Sequence, residues 1–381
     1  MILAAAFAMQ MCLGATYSWA VFVAPLKQLA GIGQGAVQLP FTLFYISFPL
    51  TAILAGATMR RFGPRGCAMG GGTVFGLGWM CAGWGAIHFS FTILGIGVLG
   101  GIGVGLAYVV PIATCVLWFP DHKGLVTGIA VAGFGGGAAL VSQVAHHLME
   151  HVGLTPFATF RAIGLAAFLL IPLAGFFMRR PAGSEASARL VVRASEIVTQ
   201  PVFRLLYFAM FAGLMAGFAV NANLKELRAS TAAQAGVNAV GVFALGNALG
   251  RIVWGGLFDR MRSRTATASN LFAQAALLLG ASWLLRTPAG LMALAALAGF
   301  NYGGVLVIYA STTARVWGAE RVASIYGWLF SANALASFAP ALAGRAYEHW
   351  GNFTLPLAVI AAIMLAAGAW AMLSRAFPRH S

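Results

Sequence analysis

The chain has 381 residues, of which 60% are hydrophobic and 8% are charged, and its mean hydropathy is +0.86. A soluble domain carries roughly 25% charged residues and turns its surface to water, so this composition excludes a soluble globular protein. The formal net charge of +15 would suggest nucleic-acid binding in a soluble protein. Here the basic residues lie in short connections between apolar runs, with no basic groove interleaved with aromatic residues, so we expect no nucleic-acid partner.

Apolar runs of about 20 residues recur along the whole chain, and each is long enough to cross a bilayer of ~30 Å. They contain Ala, Leu, Gly and Phe without alternation of polar and apolar residues, which predicts helices and not the strands of an outer-membrane barrel. The first run is too long for a signal peptide, so we interpret it as a spanning helix. We predict twelve transmembrane helices at 2–26, 36–59, 66–87, 91–118, 124–148, 157–178, 201–223, 236–257, 266–286, 289–314, 321–344 and 352–374.

The longest connection, 179–200, is rich in Ser, Ala and Arg and divides six spans from six. The predicted fold class is therefore an all-α polytopic membrane protein of two six-helix bundles. The N-terminal bundle is expected at 1–178, a cytoplasmic linker at 179–200 and the C-terminal bundle at 201–381.

The basic residues are distributed unequally between the two faces of the predicted membrane domain. Of the 23 Lys and Arg residues, sixteen lie on the face that holds the linker, five lie on the other face, and Arg161 and Arg251 fall within spans. Because cytoplasmic loops are enriched in Lys and Arg, this bias places the linker and both termini in the cytoplasm. We expect a multi-pass protein of a bacterial-type inner (plasma) membrane.

The two halves of the sequence repeat at one offset. GATMRRFGPR after the second span corresponds to GGLFDRMRSR after the eighth, so Gly56, Arg61 and Arg65 match residues 199 positions later. The same offset relates three further pairs: Thr114 and Thr313, Trp118 and Trp317, Gly128 and Gly327. Duplicated six-helix units are typical of secondary transporters, whose substrate site lies between the repeats near the midplane of the bilayer.

These segments resemble the major facilitator superfamily, since GGLFDRMRSR is similar to its loop signature, with Gly255, Asp259 and Arg260 as the matching residues. In the first half the matching loop holds Gly56 and Arg61, but Arg60 stands where the signature usually has Asp. Four further segments resemble the oxalate/formate antiporter family and related monocarboxylate transporters: GATYSWAVFVAPLK, WFPDHKGLVTGIAVAGFGGGA, NALGRIVWGGLFDR and NYGGVLVIYAST. The resemblance implies the major facilitator fold and alternating-access transport of a small organic anion.

Arg251 is the strongest candidate for substrate binding. It lies near the middle of the eighth predicted span, where an arginine costs at least ~2.5–3.5 kcal/mol on insertion, so it should face the protein interior or a hydrated cavity. A guanidinium stays charged and pairs with carboxylates in a bidentate manner. No Asp or Glu lies at the middle of any predicted span, which favours a transported anion over a structural ion pair. The resemblance implies the same role for this arginine.

Asn333 bears on the class of anion. The resemblance implies that the oxalate carrier has a lysine at this position, which gives two cations for a dianion. With a neutral amide here, a second carboxylate would be buried without a partner at a cost of several kcal/mol. We therefore predict a monocarboxylate such as lactate or pyruvate. The alternative interpretation is that Asn333 only forms a hydrogen bond between helices.

Six further residues match positions that line the cavity of the resembled family. Tyrosine hydroxyls could bind a carboxylate or hydroxy group, and phenylalanine and leucine would fit a short alkyl chain. Simple packing or anchoring at the membrane interface is the alternative for each of them. The glycine-rich stretches GIGVGLAY and GFGGGA lie within apolar spans, so we assign them to helix packing and not to nucleotide binding. The six residues are Tyr17, Tyr108, Phe134, Tyr302, Leu306 and Phe330.

The coupling ion is less well defined by the sequence. The resemblance implies an acidic residue one turn before the arginine in eukaryotic monocarboxylate transporters, but here that residue is Asn247. Candidates for proton coupling are Glu226, His146 and Asp259, although Asp259 also fits a role in fixing its loop with neighbouring arginines, and the histidines near His146 also fit an exposed loop. Proton symport is what the resemblance implies, and anion exchange remains open.

We conclude from the sequence that the chain is a secondary transporter of a small monocarboxylate, and not an enzyme. We expect no cofactor and no metal, and a monomer in the bilayer. The alternatives are an oxalate/formate-type dicarboxylate or anion exchanger, a membrane sensor or assembly subunit, and an efflux pump for bulky drugs. A sensor would fit better with a long soluble domain, and a pump for cationic drugs with an acidic residue in the cavity.

Overall fold

The computed structural model describes residues 1–182, 194–224, 227, 233–374 and 376–377. Within these ranges the chain is helical and contains no strand, which confirms the predicted all-α class. The α-helices, in chain order, are α1 Ile2–Leu13, α2 Ala20–Ala30, α3 Gln34–Ala52, α4 Ala55–Ala82, α5 Ser90–Thr92, α6 Gly101–Ala107, α7 Val109–Trp118, α8 Lys123–Glu150, α9 Pro156–Gly175, α10 Ala194–Val198, α11 Pro201–Asn223, α12 Ala233–Arg260, α13 Ser263–Leu279, α14 Ala281–Leu284, α15 Pro288–Trp317, α16 Val322–Phe330, α17 Ala332–Ala336, α18 Ala339–Trp350 and α19 Thr354–Leu373.

Each predicted span overlaps a helical segment, although the helices do not correspond one to one. Among the described residues, eight helices are long and apolar enough to cross a membrane, or up to ten if each bent pair is one span. One difference from twelve arises because the second and third predicted spans fall in a single bent pair, Ala36–Ala52 and Ala55–Ala86, although Gly63, with a φ of 71°, breaks the helix between the two spans. A second difference arises at the ninth predicted span, 266–286, because its main helix, α13, ends at Leu279 and is only 17 residues long.

Two helices begin with the same capping arrangement. The Oγ1 of Thr155 accepts a hydrogen bond from the Ala158 N–H at 3.2 Å, and the Oγ1 of Thr287 accepts one from the Gly290 N–H at 3.0 Å. A proline follows each threonine at the first helical position, where its missing N–H has no cost. These local signals define where α9 and α15 begin.

Contacts divide the chain into two compact units. Unit 1 comprises Met1–Trp118, Ala130–Leu190 and Glu320–Ser331. Its best-packed pairs are α4 with α9 and α4 with α6, and α16 packs on α4. The glycine-rich stretches allow this packing, because there is no room for a larger side chain at their close contacts. A Cβ atom added at Gly103 would clash with Phe75 and Gly71, and one added at Gly137 would clash with the Met11 backbone. The interpretation of these glycines as packing residues is confirmed.

Unit 2 comprises Phe119–Ile129, Val191–Ala319 and Ala332–Ser381. Here α12 packs on α15 along most of its length, and α13 packs on α19. Each unit thus contains one short segment from the other half of the sequence. The predicted division at 179–200 into two six-helix bundles remains a prediction about repeat organisation.

Two glycine contacts, one in the segment Phe119–Ile129 of unit 2 and one in the segment Glu320–Ser331 of unit 1, are related by the repeat offset of 199 residues. In unit 2, a Cβ on Gly128 would meet the Arg251 carbonyl oxygen; in unit 1, a Cβ on Gly327 would meet the Ala52 carbonyl oxygen. Gly327 lies 199 positions after Gly128, and Arg251 lies 199 positions after Ala52, so the repeat relates the two contacts to each other. The internal duplication read from the sequence is therefore also present in the helix contacts.

Candidate functional site

Arg251 lies on α12 in unit 2, with only 1% of its surface exposed. Its Nε donates a hydrogen bond of 2.8 Å to the Oδ1 of Asn247, one helical turn earlier. The buried guanidinium is thus oriented by a neutral amide, which supplies an acceptor but no compensating charge. This placement agrees with the expectation that an arginine in the middle of a span faces the protein interior.

Helices α12 and α15 approach each other closely along the segment that carries Arg251. A Cβ added at Gly250 would collide with the Phe300 carbonyl oxygen. A Cβ added at Gly303 would collide with the Asn247 carbonyl oxygen and lie 2.9 Å from the backbone nitrogen of Arg251. Only glycine permits this separation of the two backbones. The segment of α12 that carries Arg251 is therefore in direct backbone contact with α15.

Three other predicted residues are buried in unit 2. Tyr302 and Leu306 lie one turn apart on α15 and are 6% and 5% exposed, and Asn333 on α17 is 4% exposed. The Tyr302 ring lies 5.8 Å from the ring of Phe218 and 5.9 Å from that of Phe243. Tyr302 is therefore set in an aromatic environment that limits its rotation.

The remaining four predicted site residues belong to unit 1 and form one aromatic cluster. Tyr17 and Phe134 have ring centroids 4.9 Å apart, Phe134 and Tyr108 5.3 Å, and Tyr108 and Phe330 5.1 Å. Edge-to-face and tilted pairs of this kind are each worth about 0.5–1.5 kcal/mol beyond area burial. The sequence thus selected residues that are neighbours in the fold, although it placed them on four separate spans.

Tyr17 is positioned by a break in the first span. A 3-10 turn at Gly14–Ser18 separates α1 from α2, and the two segments are bent by 44°. At this bend a Cβ on Gly14 would collide with the Phe134 carbonyl oxygen, so the turn packs directly on α8. Short 3-10 stretches inside long helices often mark hinges.

The loop residues predicted from the superfamily signature are in contact with helix starts. In unit 2, the carboxylate of Asp259 accepts hydrogen bonds from the backbone N–H of Gly124 at 2.7 Å and of Leu125 at 2.9 Å. A Cβ on Gly255 would collide with the Gly124 carbonyl oxygen. Asp259 therefore accepts hydrogen bonds from amides at the start of α8, and its carboxylate also interacts electrostatically with Arg315.

In unit 1 the equivalent loop makes a different contact. Arg60 donates from Nη1 to the Oγ of Ser324 at 3.0 Å, and a Cβ on Gly56 would collide with the same Ser324 side chain. Arg61 is exposed, and its guanidinium carbon lies 5.2 Å from the centroid of the Phe62 ring. The two loops therefore share their glycine contact but differ in charge.

The proton-coupling candidates have different positions. His146 is exposed near the end of α8, with its ring 6.3 Å from that of His151. Glu226 lies outside the described residues. No group of three His, Cys, Asp or Glu side chains that could hold a metal occurs in the part of the chain that the structure describes.

Sequence reasoning missed Tyr326, whose ring lies 5.8 Å from that of Phe330, and two further members of the aromatic cluster. Phe48 lies 4.9 Å from Phe330 and 5.2 Å from Tyr108, and Tyr45 lies 5.8 Å from Tyr17. Both are on α3 in the stretch FTLFYISF, where aromatic residues recur every three to four positions. This spacing places them on one helix face and is the signal that could have revealed them.

Comparison with known proteins agrees with this architecture. The family model described as Major Facilitator Superfamily matches residues 4–339. The oxalate:formate antiporter of Oxalobacter formigenes is 32% identical over 345 residues, which cover 86% of this chain and 80% of the relative. Apicoplast pyruvate carrier 1 of Toxoplasma gondii is 25% identical over 354 residues, covering 74% of this chain and 64% of the relative.

Among solved structures, the Major Facilitator Superfamily transporter FucP in the outward conformation superposes with a TM-score of 0.77. The alignment covers 97% of each chain at 14% identity, so it supports the fold alone. The family match, the two-unit helical architecture and the repeated loop contacts lead to one conclusion: the chain belongs to the Major Facilitator Superfamily of membrane transporters.

Proposed function

We propose that this protein transports a small monocarboxylate of the lactate or pyruvate class by alternating access. The observation that carries the proposal is Arg251, a fully buried arginine on a membrane-spanning helix whose Nε is bonded to neutral Asn247. The amide accepts one hydrogen bond from the guanidinium and adds no charge of its own, and a guanidinium binds a carboxylate in a bidentate manner.

The chemistry of the guanidinium defines the binding mode. Arginine has five N–H donors in a planar fork, and Asn247 uses the one on Nε. The substrate carboxylate would bind through the two terminal nitrogens of the guanidinium. Bidentate pairing fixes the carboxylate in one orientation.

The neutral side chain of Asn333 supports one negative charge per substrate. Asn333 and Arg251 both lie buried in unit 2, where an uncompensated second carboxylate would cost several kcal/mol. The similar proteins are named an oxalate:formate antiporter and a pyruvate carrier, and both names describe small carboxylates. Tyr302 and Leu306 would contact the rest of such a substrate.

The membrane and the coupling mode are also part of the proposal. The Lys and Arg bias supports an inner (plasma) membrane with the linker and termini in the cytoplasm. Proton symport would use His146, Asp259 or Glu226. Anion exchange is the second candidate, favoured by the 32% identity to an oxalate:formate antiporter.

The decisive experiment measures uptake of labelled lactate into proteoliposomes that contain the purified protein. Arg251→Ala should lower saturable uptake by a factor of about 100 or more, because a buried charge pair broken on one side loses roughly 3–5 kcal/mol. Arg262→Gln removes an exposed arginine of the same half and serves as the control. Unchanged uptake in Arg251→Ala would contradict the proposed site.

The same vesicles separate the two coupling modes. Symport predicts that an outside-acid pH gradient drives lactate accumulation into vesicles without an internal anion. Exchange predicts that uptake requires lactate, formate or oxalate inside and is insensitive to the gradient. If oxalate competes as well as lactate does, the monocarboxylate preference is wrong.

A further inference from the structure

Two arginines of unit 1 share one exposed aromatic ring. The guanidinium carbon of Arg65 lies 4.1 Å from the centroid of Phe176, and that of Arg179 lies 5.6 Å from it. Arg65 is fixed there, since its Nε donates to the Phe176 carbonyl oxygen at 2.9 Å. Phe176 is 44% exposed. Arg179 is exposed and Arg65 is half-buried, so an external ligand can reach this pair of cations.

The surrounding sequence supplies little negative charge to this pair. Residues 1–118 contain no Asp or Glu, and in the described part of unit 1 the acidic residues are Glu150 and Glu320. The next arginine, Arg180, is directed to a backbone oxygen, that of Met59, at 3.4 Å. Two guanidiniums held on one ring repel each other, and an external anion would relieve that repulsion.

A lateral apolar groove of about 390 Å³ lies between α1 and the end of α9. Small side chains of α1 line the groove together with Leu170 and Leu173 of α9, which are 51% and 62% exposed. A groove that opens sideways on membrane-spanning helices faces the hydrocarbon of the bilayer. Its lining residues are Met1, Ala4, Ala5, Ala8, Cys12, Leu170, Leu173, Ala174 and Phe177.

The groove and the arginine pair are adjacent. Phe177 lines the groove, and its ring lies 5.8 Å from that of Phe176 at an interplanar angle of 89°. We propose that unit 1 binds an anionic phospholipid, with an acyl chain in the groove and the phosphate at Arg65 and Arg179. Basic clusters beside spanning helices are known to attract anionic headgroups, and here the adjacent groove adds a place for the chain.

The test compares phosphatidylglycerol with phosphatidylcholine of identical acyl chains, added to the purified full chain in detergent. Thermal unfolding and native mass spectrometry report the stabilisation and the number of retained lipids. We expect a larger rise of the unfolding midpoint, and more retained molecules, with phosphatidylglycerol. Equal effects of the two lipids would overturn the proposal.

Substitutions locate the headgroup. Arg179→Gln should weaken phosphatidylglycerol binding about fivefold, and Arg65→Gln with Arg179→Gln about thirtyfold, from the usual contribution of each interfacial arginine. Arg204→Gln removes an exposed arginine elsewhere and should change nothing. Because Arg65 also bonds the end of α9, the readout for each variant is the difference between the two lipids, and an unchanged difference in Arg179→Gln contradicts the assignment.

Two further arms identify the source of the phosphate and the role of the groove. Inorganic phosphate alone should give little stabilisation; if it reproduces the full shift, the site binds free phosphate and not a lipid. Ala8→Phe fills the groove and should lower phosphatidylglycerol retention, whereas Leu169→Phe changes an exposed α9 residue that does not line the groove. Equal retention by these two variants would contradict acyl-chain binding.

Discussion

Asp259 caps the N-terminus of α8 by accepting the backbone N–H of Gly124 at 2.7 Å and that of Leu125 at 2.9 Å. The residue equivalent to Asp259 by the offset of 199 is Arg60, which donates to Ser324 instead. A helix N-terminus carries partial positive charge, so a carboxylate stabilises it and a guanidinium does not. The two repeat-related contacts are therefore energetically unequal.

Asp259→Ala should lower the free energy of unfolding by about 1–3 kcal/mol, because two N–H groups lose a charged acceptor. Asp121→Ala, which changes an exposed carboxylate in the same unit, is the matched control. Thermal unfolding of the purified protein measures both. Equal midpoints for the two variants would show that the cap does not contribute to stability.

Arg60→Asp should raise the unfolding midpoint despite the loss of the Arg60–Ser324 bond. The new carboxylate would face the start of α16 as Asp259 faces the start of α8, with a gain of about 0.5–2 kcal/mol. Arg60→Ala separates the gain of the acid from the loss of the arginine. A midpoint for Arg60→Asp below that of Arg60→Ala would refute the equivalence of the two loops.

Asn247→Asp should weaken binding of a monocarboxylate. A carboxylate one turn from Arg251 would neutralise the guanidinium in the absence of substrate, and an incoming anion would compete with it. We expect a rise in the KM for lactate of at least tenfold, measured by uptake into proteoliposomes. Asn247→Ala, which removes the bond without adding charge, should have a smaller effect; the reverse order would argue against Arg251 as the carboxylate ligand.

Asn333→Lys should shift selectivity from monocarboxylates towards dicarboxylates. At the proposed site, a second buried cation in unit 2 would give the second carboxylate of oxalate a charge partner. Competition of oxalate with labelled lactate measures the shift. Asn333→Leu removes the amide without adding charge, so a similar shift in that variant would assign the effect to packing.

Gly250→Ala should destabilise the protein by about 1–3 kcal/mol, because its Cβ would collide with the Phe300 carbonyl oxygen and push α12 away from α15. Gly256 lies on the same helix with nothing within 4 Å of a Cβ. Gly256→Ala should therefore stabilise the protein by about 0.5–1 kcal/mol, the helix preference of alanine over glycine. Thermal unfolding of the two variants should give shifts of opposite sign.

Local properties of the sequence determined the fold class and the burial of Arg251, the principal candidate site residue. Apolar runs of membrane length must form helices because lipid offers no hydrogen bonds to the backbone, and an arginine in the middle of such a run must turn inward. The repeat was visible because both halves kept the same spacing without insertions. Even Asn247 is within reach of this reasoning, since it lies one turn from Arg251 on the same helix.

Tertiary structure decided the partners. The partner of Asp259 lies 135 residues away at Gly124, and Phe48 joins the aromatic cluster only because α3 packs beside the helices that carry Tyr108 and Phe330. Gly63, with φ 71° and ψ 168°, breaks α4 between the second and third predicted spans, and composition does not reveal this backbone conformation. A helical period shows which face a side chain occupies, but helix packing alone determines what that face meets.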